Sequence, residues 1–270
     1  MGVRHLNNQI KIKVISSLEK IYHSDKVPTN TLSHFSMLKN EKKSFQIAIE
    51  SEKEFNAELT FNTSFDNTKI YSVEHIKSDF PMNKTDADNY YRFSKDGYYP
   101  DLLLPVENSV KIYKGITVFW VEINACSKTV GENIFKIRLS KKGNIVAETS
   151  LKVEVIDCEL EFNDFIYTNW FHTDCLMSHY GFEAFSDEYW RVTENFLKTA
   201  NAYGMNCVLT PIFTPPLDTE IGKERPTVQL VDVFLNNGIY SFNFDKLTQW
   251  IEMSKRCGIT HFEMAHFFTQ

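Results

Sequence analysis

The second half of the chain alternates between short apolar runs and longer segments with a helical period. Residues 165–173, 206–213 and 260–267 are short and rich in aromatic and aliphatic side chains, which is typical of buried strands. Residues 186–203 and 244–257 carry apolar side chains three and four positions apart, which is typical of amphipathic helices. The order strand, helix, strand, helix, strand predicts a parallel α/β sheet, and we expect it to be the first part of a (β/α)8 TIM barrel.

The first of the two predicted helices has recognisable ends. Ser186 is expected to be its N-cap, because a serine followed by two acidic residues suits the first turn of a helix. Gly204 is expected to end it. The buried stripe should consist of residues three or four positions apart, namely Tyr189, Val192, Phe196 and Ala200.

The first 160 residues have a different pattern, in which apolar and polar side chains alternate over short segments. Strands are predicted wherever this alternation recurs, at residues 44–50, 57–62, 115–124, 133–139 and 146–156. Gly143 predicts a hairpin turn between the last two strands. The sequence therefore predicts a multidomain β plus α/β protein, with an N-terminal antiparallel β-sandwich in residues 1–160 and the partial barrel in residues 161–270.

Residues 81–105 interrupt the strand pattern because they are polar and aromatic. Pro100 and Pro105 bracket a short apolar run within this segment. We expect a long ordered loop here, since its tyrosines argue against disorder and a loop of this length in a compact domain is otherwise unusual.

Composition and charge narrow the classes of function. Hydrophobic residues make up 43% of the chain and charged residues 24%, which is ordinary for a globular protein. The net charge of −6, without a long basic run, argues against a nucleic-acid partner. No apolar run has the length of a transmembrane helix, and the first residues lack the apolar core of a secretory signal. We therefore expect no membrane partner and a cytoplasmic location.

Three candidate side chains follow the first predicted strand. Trp170, His172 and Asp174 share one parity, so an extended strand would direct all three to the same side. A Trp platform, an imidazole and a carboxylate suit the stacking and hydrogen bonding of a polar ring ligand. In the alternative interpretation, Trp170 lies in the core, a backbone carbonyl satisfies His172, and Asp174 caps a turn.

Further candidates follow the second and third predicted strands. Residues 214–241 form a connection far longer than usual, and long loops after barrel strands build binding sites. Thr214 can offer a hydrogen bond there, and Arg225 can clamp a carboxylate or form a structural ion pair. On the third strand Glu263 would face the barrel interior, where a buried glutamate is either paired or functional. His266 lies nearer the strand end and is the stronger candidate for ligand contact.

Metal binding is a weaker alternative. His172, Asp174 and His266 are residue types that suit zinc or manganese, which leaves a metal-dependent hydrolase as a third hypothesis. The sequence has no compact ligand spacing such as H-E-x-x-H, no nucleotide-binding glycine motif and no nucleophile elbow. The five cysteines are scattered without a C-x-x-C pair, so neither a structural zinc site nor a disulfide framework is predicted. We expect no cofactor.

Longer runs of sequence resemble a known group of proteins. The runs are IYTNWFHTDC, NFLKTANAYGMNCVLTPIFTPPLDT, ERPTVQLVD, CGITHFEMAHFFTQ and, in the first domain, GYYPDLLLP. They resemble the domain-of-unknown-function-4091 proteins, which are bacterial relatives of glycoside hydrolase family 123, the β-N-acetylgalactosaminidase type. The resemblance covers nearly all of the chain. It implies a sandwich followed by a (β/α)8 barrel, in an enzyme that cleaves a terminal N-acetylhexosamine with retention.

The resemblance also implies a catalytic pair. In this substrate-assisted chemistry the acetamido carbonyl of the sugar is the nucleophile, an Asp orients it, and an adjacent Glu is the general acid, an exception to the usual scheme of two carboxylates. The only Asp-Glu dipeptide here is Asp187 and Glu188, which the pattern places at a helix start rather than at a strand end. We therefore give it no catalytic role and expect the pair to lie beyond Gln270. The chain would then be the N-terminal portion of a glycoside hydrolase-like protein, and inactive alone.

The partner expected from this resemblance is a carbohydrate substrate. Its contacts would come from the candidate residues Trp170, His172, Asp174, Thr214, Arg225, Glu263 and His266. The alternative is a non-catalytic carbohydrate-binding or scaffolding protein. Because three strands do not close a barrel, the open edge of the third strand also predicts self-association.

Overall fold

The contacts within the chain divide it into two units, Met1–Phe162 and Asn163–Gln270. The computed structural model describes residues 4–5, 10–78, 97–159, 165–213 and 226–264. The strands of the first unit are β1 (Arg4–His5), β2 (Ile10–Ser16), β3 (His34–Leu38), β4 (Lys42–Ser51), β5 (Phe55–Asn62), β6 (Lys69–Ser78), β7 (Gly97–Pro105), β8 (Ser109–Ile112), β9 (Gly115–Asn124), β10 (Gly131–Lys141) and β11 (Asn144–Ile156).

These strands form two sheets that share one hydrophobic core. One sheet has the order β1-β11-β10-β5-β8, with β3 also paired to β11, and the other has the order β2-β4-β9-β6-β7. All pairs are antiparallel except β3 with β11. Phe45 on β4 and Phe135 on β10 meet edge to face, with ring centroids 5.3 Å apart, so side chains of the two sheets pack directly on each other. The β-rich character predicted for this region is confirmed.

The predicted hairpin turn between β10 and β11 is present. Lys141 pairs with Asn144, and the two residues between them, Lys142 and Gly143, have φ values of 50° and 77°. Two consecutive positive φ values define the type I′ turn, whose twist matches that of the strands it joins. Glycine adopts this conformation without steric cost.

The loop predicted for residues 81–105 is wrong in its described part. Gly97–Pro105 is strand β7, which pairs with β6, while residues 81–96 lie outside the described residues. Pro100 lies opposite His75, where the register of the pair shifts. A proline has no N–H for the ladder and is tolerated in an edge strand or at such an irregularity, which explains why the sequence pattern concealed this strand.

The second unit contains the predicted order of strands and helices, with two additions. Its elements are β12 (Thr168–Asn169), α1 (Thr173–Tyr180), α2 (Asp187–Ala202), β13 (Cys207–Thr210), β14 (Asp232–Asn236), β15 (Ile239–Asn243), α3 (Asp245–Arg256) and β16 (His261–Met264). Strands β12, β13 and β16 lie parallel in that order. Association of copies through β16 stays a prediction.

The first addition is helix α1, which corrects the strand predicted for residues 165–173. Only Thr168 and Asn169 form a strand, and the helix begins at Thr173. The predicted common strand face of Trp170 and Asp174 is therefore wrong, because Asp174 lies in the first turn of a helix. Gly181 ends the helix in the left-handed conformation, and its N–H donates to the carbonyl of Met177.

Helix α2 begins as predicted, with the Ser186 hydroxyl accepting a hydrogen bond from the Tyr189 N–H at 3.2 Å. Its buried side chains are Tyr189, Val192, Thr193 and Leu197. The predicted stripe is thus wrong at Phe196, which is 40% exposed. The Phe196 ring stacks on Phe171 instead, with centroids 5.8 Å apart.

The second addition is the hairpin of β14 and β15, which lies within the connection predicted for residues 214–241. Asn236 pairs with Ile239, and Asn237 and Gly238 form its turn with φ values of 51° and 79°. An Asn-Gly pair between apolar runs is the strongest short-range hairpin pattern, so this element was predictable. Its apolar side chains, such as Leu235 and Tyr240, are exposed.

Candidate functional site

The parallel sheet of the second unit has two chemically different faces. Val208 on β13 and Phe262 on β16 pack with Leu197 of α2 and Trp250 of α3 in one core cluster. Successive side chains of a strand point to opposite faces. The face opposite the helices therefore carries the neighbours of these residues, including Leu209 and Glu263, which are paired in register.

Glu263 is the acceptor of two hydrogen bonds on that second face. The indole Nε1 of Trp170 donates to Glu263 Oε1 at 3.1 Å, and the Thr168 hydroxyl donates to Oε2 at 3.3 Å. Trp170 follows β12 directly, and its side chain is 56% exposed. The edge of the indole is thus tied to the sheet while much of the ring remains open to solvent.

Asn206 joins the starts of the two outer strands and was missed in the sequence. Its side-chain Oδ1 accepts a hydrogen bond from the Tyr167 N–H at 2.8 Å, and its Nδ2 donates to the Phe165 carbonyl at 2.9 Å. Its own carbonyl accepts from the N–H of His261 at 3.0 Å. These bonds set β12 and β16 on either side of β13 and so place Trp170 and Glu263 within reach of each other.

Asp174 lies in the first turn of α1 and is buried beside Thr173. Its side chain is 5% exposed, and the neighbouring Thr173 hydroxyl lies 2.9 Å from the phenol oxygen of Tyr189. Burial raises the pKa of Tyr189 to about 12, the charge of Asp174 adds to the rise, and the hydrogen bond with Thr173 opposes it. The arrangement anchors α1 on α2.

The remaining predicted contacts are partly outside the described residues. His172 is half-buried and is the N-cap of α1, with an extended backbone and no side-chain capping bond. Thr214, Arg225 and His266 lie outside the described residues. Among the predicted site residues, the structure thus brings Trp170 and Glu263 together through a hydrogen bond.

Asp187 and Glu188 occupy the first turn of α2, as their sequence position predicted. Glu188 accepts a hydrogen bond from Arg191 Nε at 3.0 Å, and this bond lowers the pKa of the carboxyl. Acidic side chains at this position stabilise a helix through its macrodipole. The geometry of the pair is that of an exposed helix start.

A cavity that was not predicted lies in the first unit. It is a cleft of about 180 Å³ whose lining includes Val73, His75, Lys111 and Tyr113. The ring of His75 stacks on that of His23, with centroids 3.6 Å apart and an interplanar angle of 27°. Burial lowers the pKa of His75, and the charge of His23 lowers it further, against a backbone hydrogen bond at Ile21.

Two further features are absent from the described residues. In the ranges that the structure describes, no three His, Cys, Asp or Glu side chains lie close enough to hold a metal ion. The same ranges contain no helix of the length and apolarity that crossing a lipid bilayer requires.

Part of the chain matches the model of one enzyme family, and one solved structure shares its fold. Residues 170–270 match the family model described as glycoside hydrolase 123, catalytic domain. No curated protein matches the chain. Among solved structures, a family 123 glycoside hydrolase from Clostridium perfringens, studied for glycolipid glycan hydrolysis, aligns with a TM-score of 0.76 at 16% identity. The alignment covers 94% of this chain and 46% of that one, so the chain spans about half the length of its neighbour.

Two other structures align much less well. The N-terminal domain of PorA has a TM-score of 0.26 at 6% identity, over 54% of this chain and 97% of its own. The PapD-like domain of human CEP192 has a TM-score of 0.25 at 9% identity, over 59% of this chain and 99% of its own. Similarities this low support no inference, whereas the Clostridium perfringens structure shows a shared fold.

Proposed function

We propose that the chain is part of a glycoside hydrolase-like protein of family 123 that acts on N-acetylhexosamine-containing glycans. The match over residues 170–270 and the fold shared with the Clostridium perfringens enzyme support the family. That enzyme was studied on glycolipid glycans, which favours a glycan as the substrate of this protein as well.

The observation that carries the proposal is the exposed indole of Trp170 beside Glu263. Both residues lie at the carboxyl ends of parallel strands, on the face opposite the helices. In a (β/α) barrel the active site is built at the carboxyl ends of the strands. An exposed aromatic ring held at its polar edge suits stacking against the apolar face of a sugar.

The proposal includes a two-domain architecture. The two sheets of the first unit would form an antiparallel β-sandwich in residues 1–160, which their common core supports. Residues 161–270 would supply the first βα units of a TIM barrel, which the parallel strand order and the packing of α2 and α3 on one face support. His172, Thr214, Arg225 and His266 remain proposed carbohydrate contacts. For the buried Asp174 we propose a structural role.

The proposed reaction is substrate-assisted hydrolysis with retention at the anomeric carbon. The acetamido carbonyl would attack that carbon, an Asp would orient the amide, and a Glu would protonate the leaving oxygen. Asp187 and Glu188 do not suit these roles, because Glu188 is bound to Arg191 at an exposed helix start. In this proposal the acid–base pair is supplied from outside these 270 residues.

A non-catalytic carbohydrate-binding or scaffolding protein is the second candidate. The position of Asp187 and Glu188 favours it, since this chain then carries a platform for sugar without the proposed acid–base pair. A hydrolase and a carbohydrate-binding protein both predict saccharide binding, a scaffolding protein does not, and only the hydrolase predicts hydrolysis.

Hydrolysis of chromogenic β-N-acetylgalactosaminide and β-N-acetylglucosaminide tests the two candidates. The assay compares the complete protein encoded by the gene with the 270-residue chain. Activity of the complete protein alone is the expected result. Activity of the 270-residue chain would contradict the assignment of the acid–base pair, and binding without activity in both would favour the non-catalytic candidate.

A further inference from the structure

We propose that Glu263 is a positioning residue that fixes the orientation of Trp170, so that the indole ring is held ready for stacking on a sugar. This inference rests on the proposed function, because it assigns a role within the same site. From the sequence, Glu263 is expected to contact the substrate directly. The geometry points instead to a contact with the protein, since Trp170 and Thr168 each donate to one of its carboxylate oxygens.

Both hydrogen bonds cross the middle strand of the three-stranded sheet. Thr168 and Trp170 belong to the segment of β12, whereas Glu263 lies on β16, with β13 between them. Leu209 on β13 is the register partner of Glu263. The glutamate side chain therefore reaches across the middle strand, and its backbone is fixed by the ladder beneath it.

A fixed acceptor matters because Trp170 is largely exposed to solvent. More than half of the side chain is exposed, and an exposed side chain loses rotamer freedom when it binds a ligand. A hydrogen bond to a carboxylate is charge-assisted and therefore stronger than a neutral one. Ordering the indole before binding removes part of the entropic cost of association, as preorganised aromatic side chains do in other binding sites.

The indole Nε1–H resonance of Trp170 tests the positioning without any ligand. It is recorded by two-dimensional NMR of the 270-residue chain and assigned by its loss in Trp170→Phe. Glu263→Gln keeps an oxygen acceptor, so the resonance should stay dispersed. Glu263→Met keeps the length of the side chain without the acceptor, so the resonance should move to the position of a solvent-exposed indole. An unchanged resonance in Glu263→Met would overturn the proposal.

Affinity for methyl β-N-acetylgalactosaminide tests the consequence for binding. With one hydrogen bond lost, Glu263→Met should bind about tenfold more weakly, and Glu263→Gln should bind nearly as well as the parent chain. In a Trp170→Phe background, Glu263→Met should have no further effect. Glu252→Met, the same change on the exposed side of α3, is the matched control.

The outcomes separate this proposal from the proposed function. Equal losses of affinity in Glu263→Gln and Glu263→Met would show that the charged carboxylate contacts the sugar directly. This result would overturn the positioning role. If the parent chain binds no glycoside while its Trp170 resonance depends on Glu263, the proposed function fails for this chain and the positioning contact stands.

Discussion

The phenol oxygen of Tyr189 lies 2.9 Å from the hydroxyl oxygen of Thr173, and both side chains are closed to solvent. Thr173 begins α1, and Tyr189 lies in the first turn of α2. This one polar contact therefore joins the starts of two consecutive helices. Because each hydroxyl is the other's partner in a buried environment, the pair should behave as a unit when it is mutated.

Tyr189→Phe should destabilise the second unit by about 1–3 kcal/mol, because it leaves the Thr173 hydroxyl buried without its partner. Thr173→Val should do the same from the other side. The loss of stability in the double variant should be smaller than the sum of the two single losses, since neither polar group is then left without a partner. Urea unfolding measures each free energy, and Tyr240→Phe on the exposed hairpin is the matched control. Strictly additive losses would show that the two hydroxyls do not act together.

The raised pKa of Tyr189 predicts a loss of stability in alkaline solution. The folded chain holds the phenol proton up to a pKa of about 12, whereas the unfolded chain releases it near the ordinary value of 10.0. Above the ordinary value the folded state therefore binds more protons than the unfolded state, and the free energy of unfolding falls as pH rises. The full loss corresponds to roughly 2–3 kcal/mol.

Urea midpoints measured from neutral to alkaline pH test this loss. The parent chain should lose more stability than Tyr189→Phe across this interval. If the two profiles run parallel, the phenol is not the group responsible.

Local patterns predicted some helix ends and turns correctly. The serine and acidic residues at the start of α2, and the glycine between β10 and β11, act within a few residues, so their effects are visible in sequence. The Asn-Gly turn between β14 and β15 belongs to the same class and was overlooked inside a long predicted loop. These features depend on local backbone preferences, which a single sequence carries.

The candidate site depended on contacts that the sequence does not show. Trp170 and Glu263 are 93 residues apart in the sequence. They can form a hydrogen bond because β12 and β16 both pair with β13, which brings the two side chains to the same face of the sheet. The predicted grouping of Asp174 with Trp170 failed because β12 ends at Asn169 and a helix begins at Thr173. Parity along a strand is informative only as far as the strand extends.

His75 should make the first unit sensitive to acid. Burial and the stacked His23 lower its pKa, so below the ordinary value of 6.5 the unfolded chain binds the proton more readily than the folded chain. The contribution of neutral His75 to the free energy of unfolding is therefore complete above that pH and is lost as the pH falls. His75→Phe retains a ring for the contact with His23 and removes the titration, so this variant should lose less stability on acidification.

The measurement is urea unfolding at about pH 7 and about pH 5, which bracket the ordinary histidine pKa. His34→Phe provides the control, because His34 is an exposed histidine of the same unit on β3. If His34→Phe reduces the acid sensitivity as much as His75→Phe does, His75 is not its source.

Gly258→Ala should be more harmful than Gly204→Ala, although both glycines follow a helix with positive φ, 91° and 97°. Either alanine would be strained by about 1–2 kcal/mol in this conformation. A Cβ at position 258 would also lie 2.5 Å from the Asn201 side-chain oxygen, whereas one at position 204 would meet nothing closer than Tyr167 at 4.0 Å. The Asn201 amide donates to the carbonyl of Gly258 at 3.1 Å, so displacing it would break a bond between the ends of α2 and α3.

The difference between the two glycine variants isolates this collision from the backbone strain that they share. In thermal or urea unfolding, the free energy of unfolding of Gly258→Ala should be lower than that of Gly204→Ala by about 1 kcal/mol or more, which is the size of one lost hydrogen bond. In an Asn201→Ala background the difference should disappear, because the colliding amide is gone. Equal costs in the parent background would mean that the Asn201 side chain moves aside without loss, and that its bond to Gly258 contributes little to the folded state.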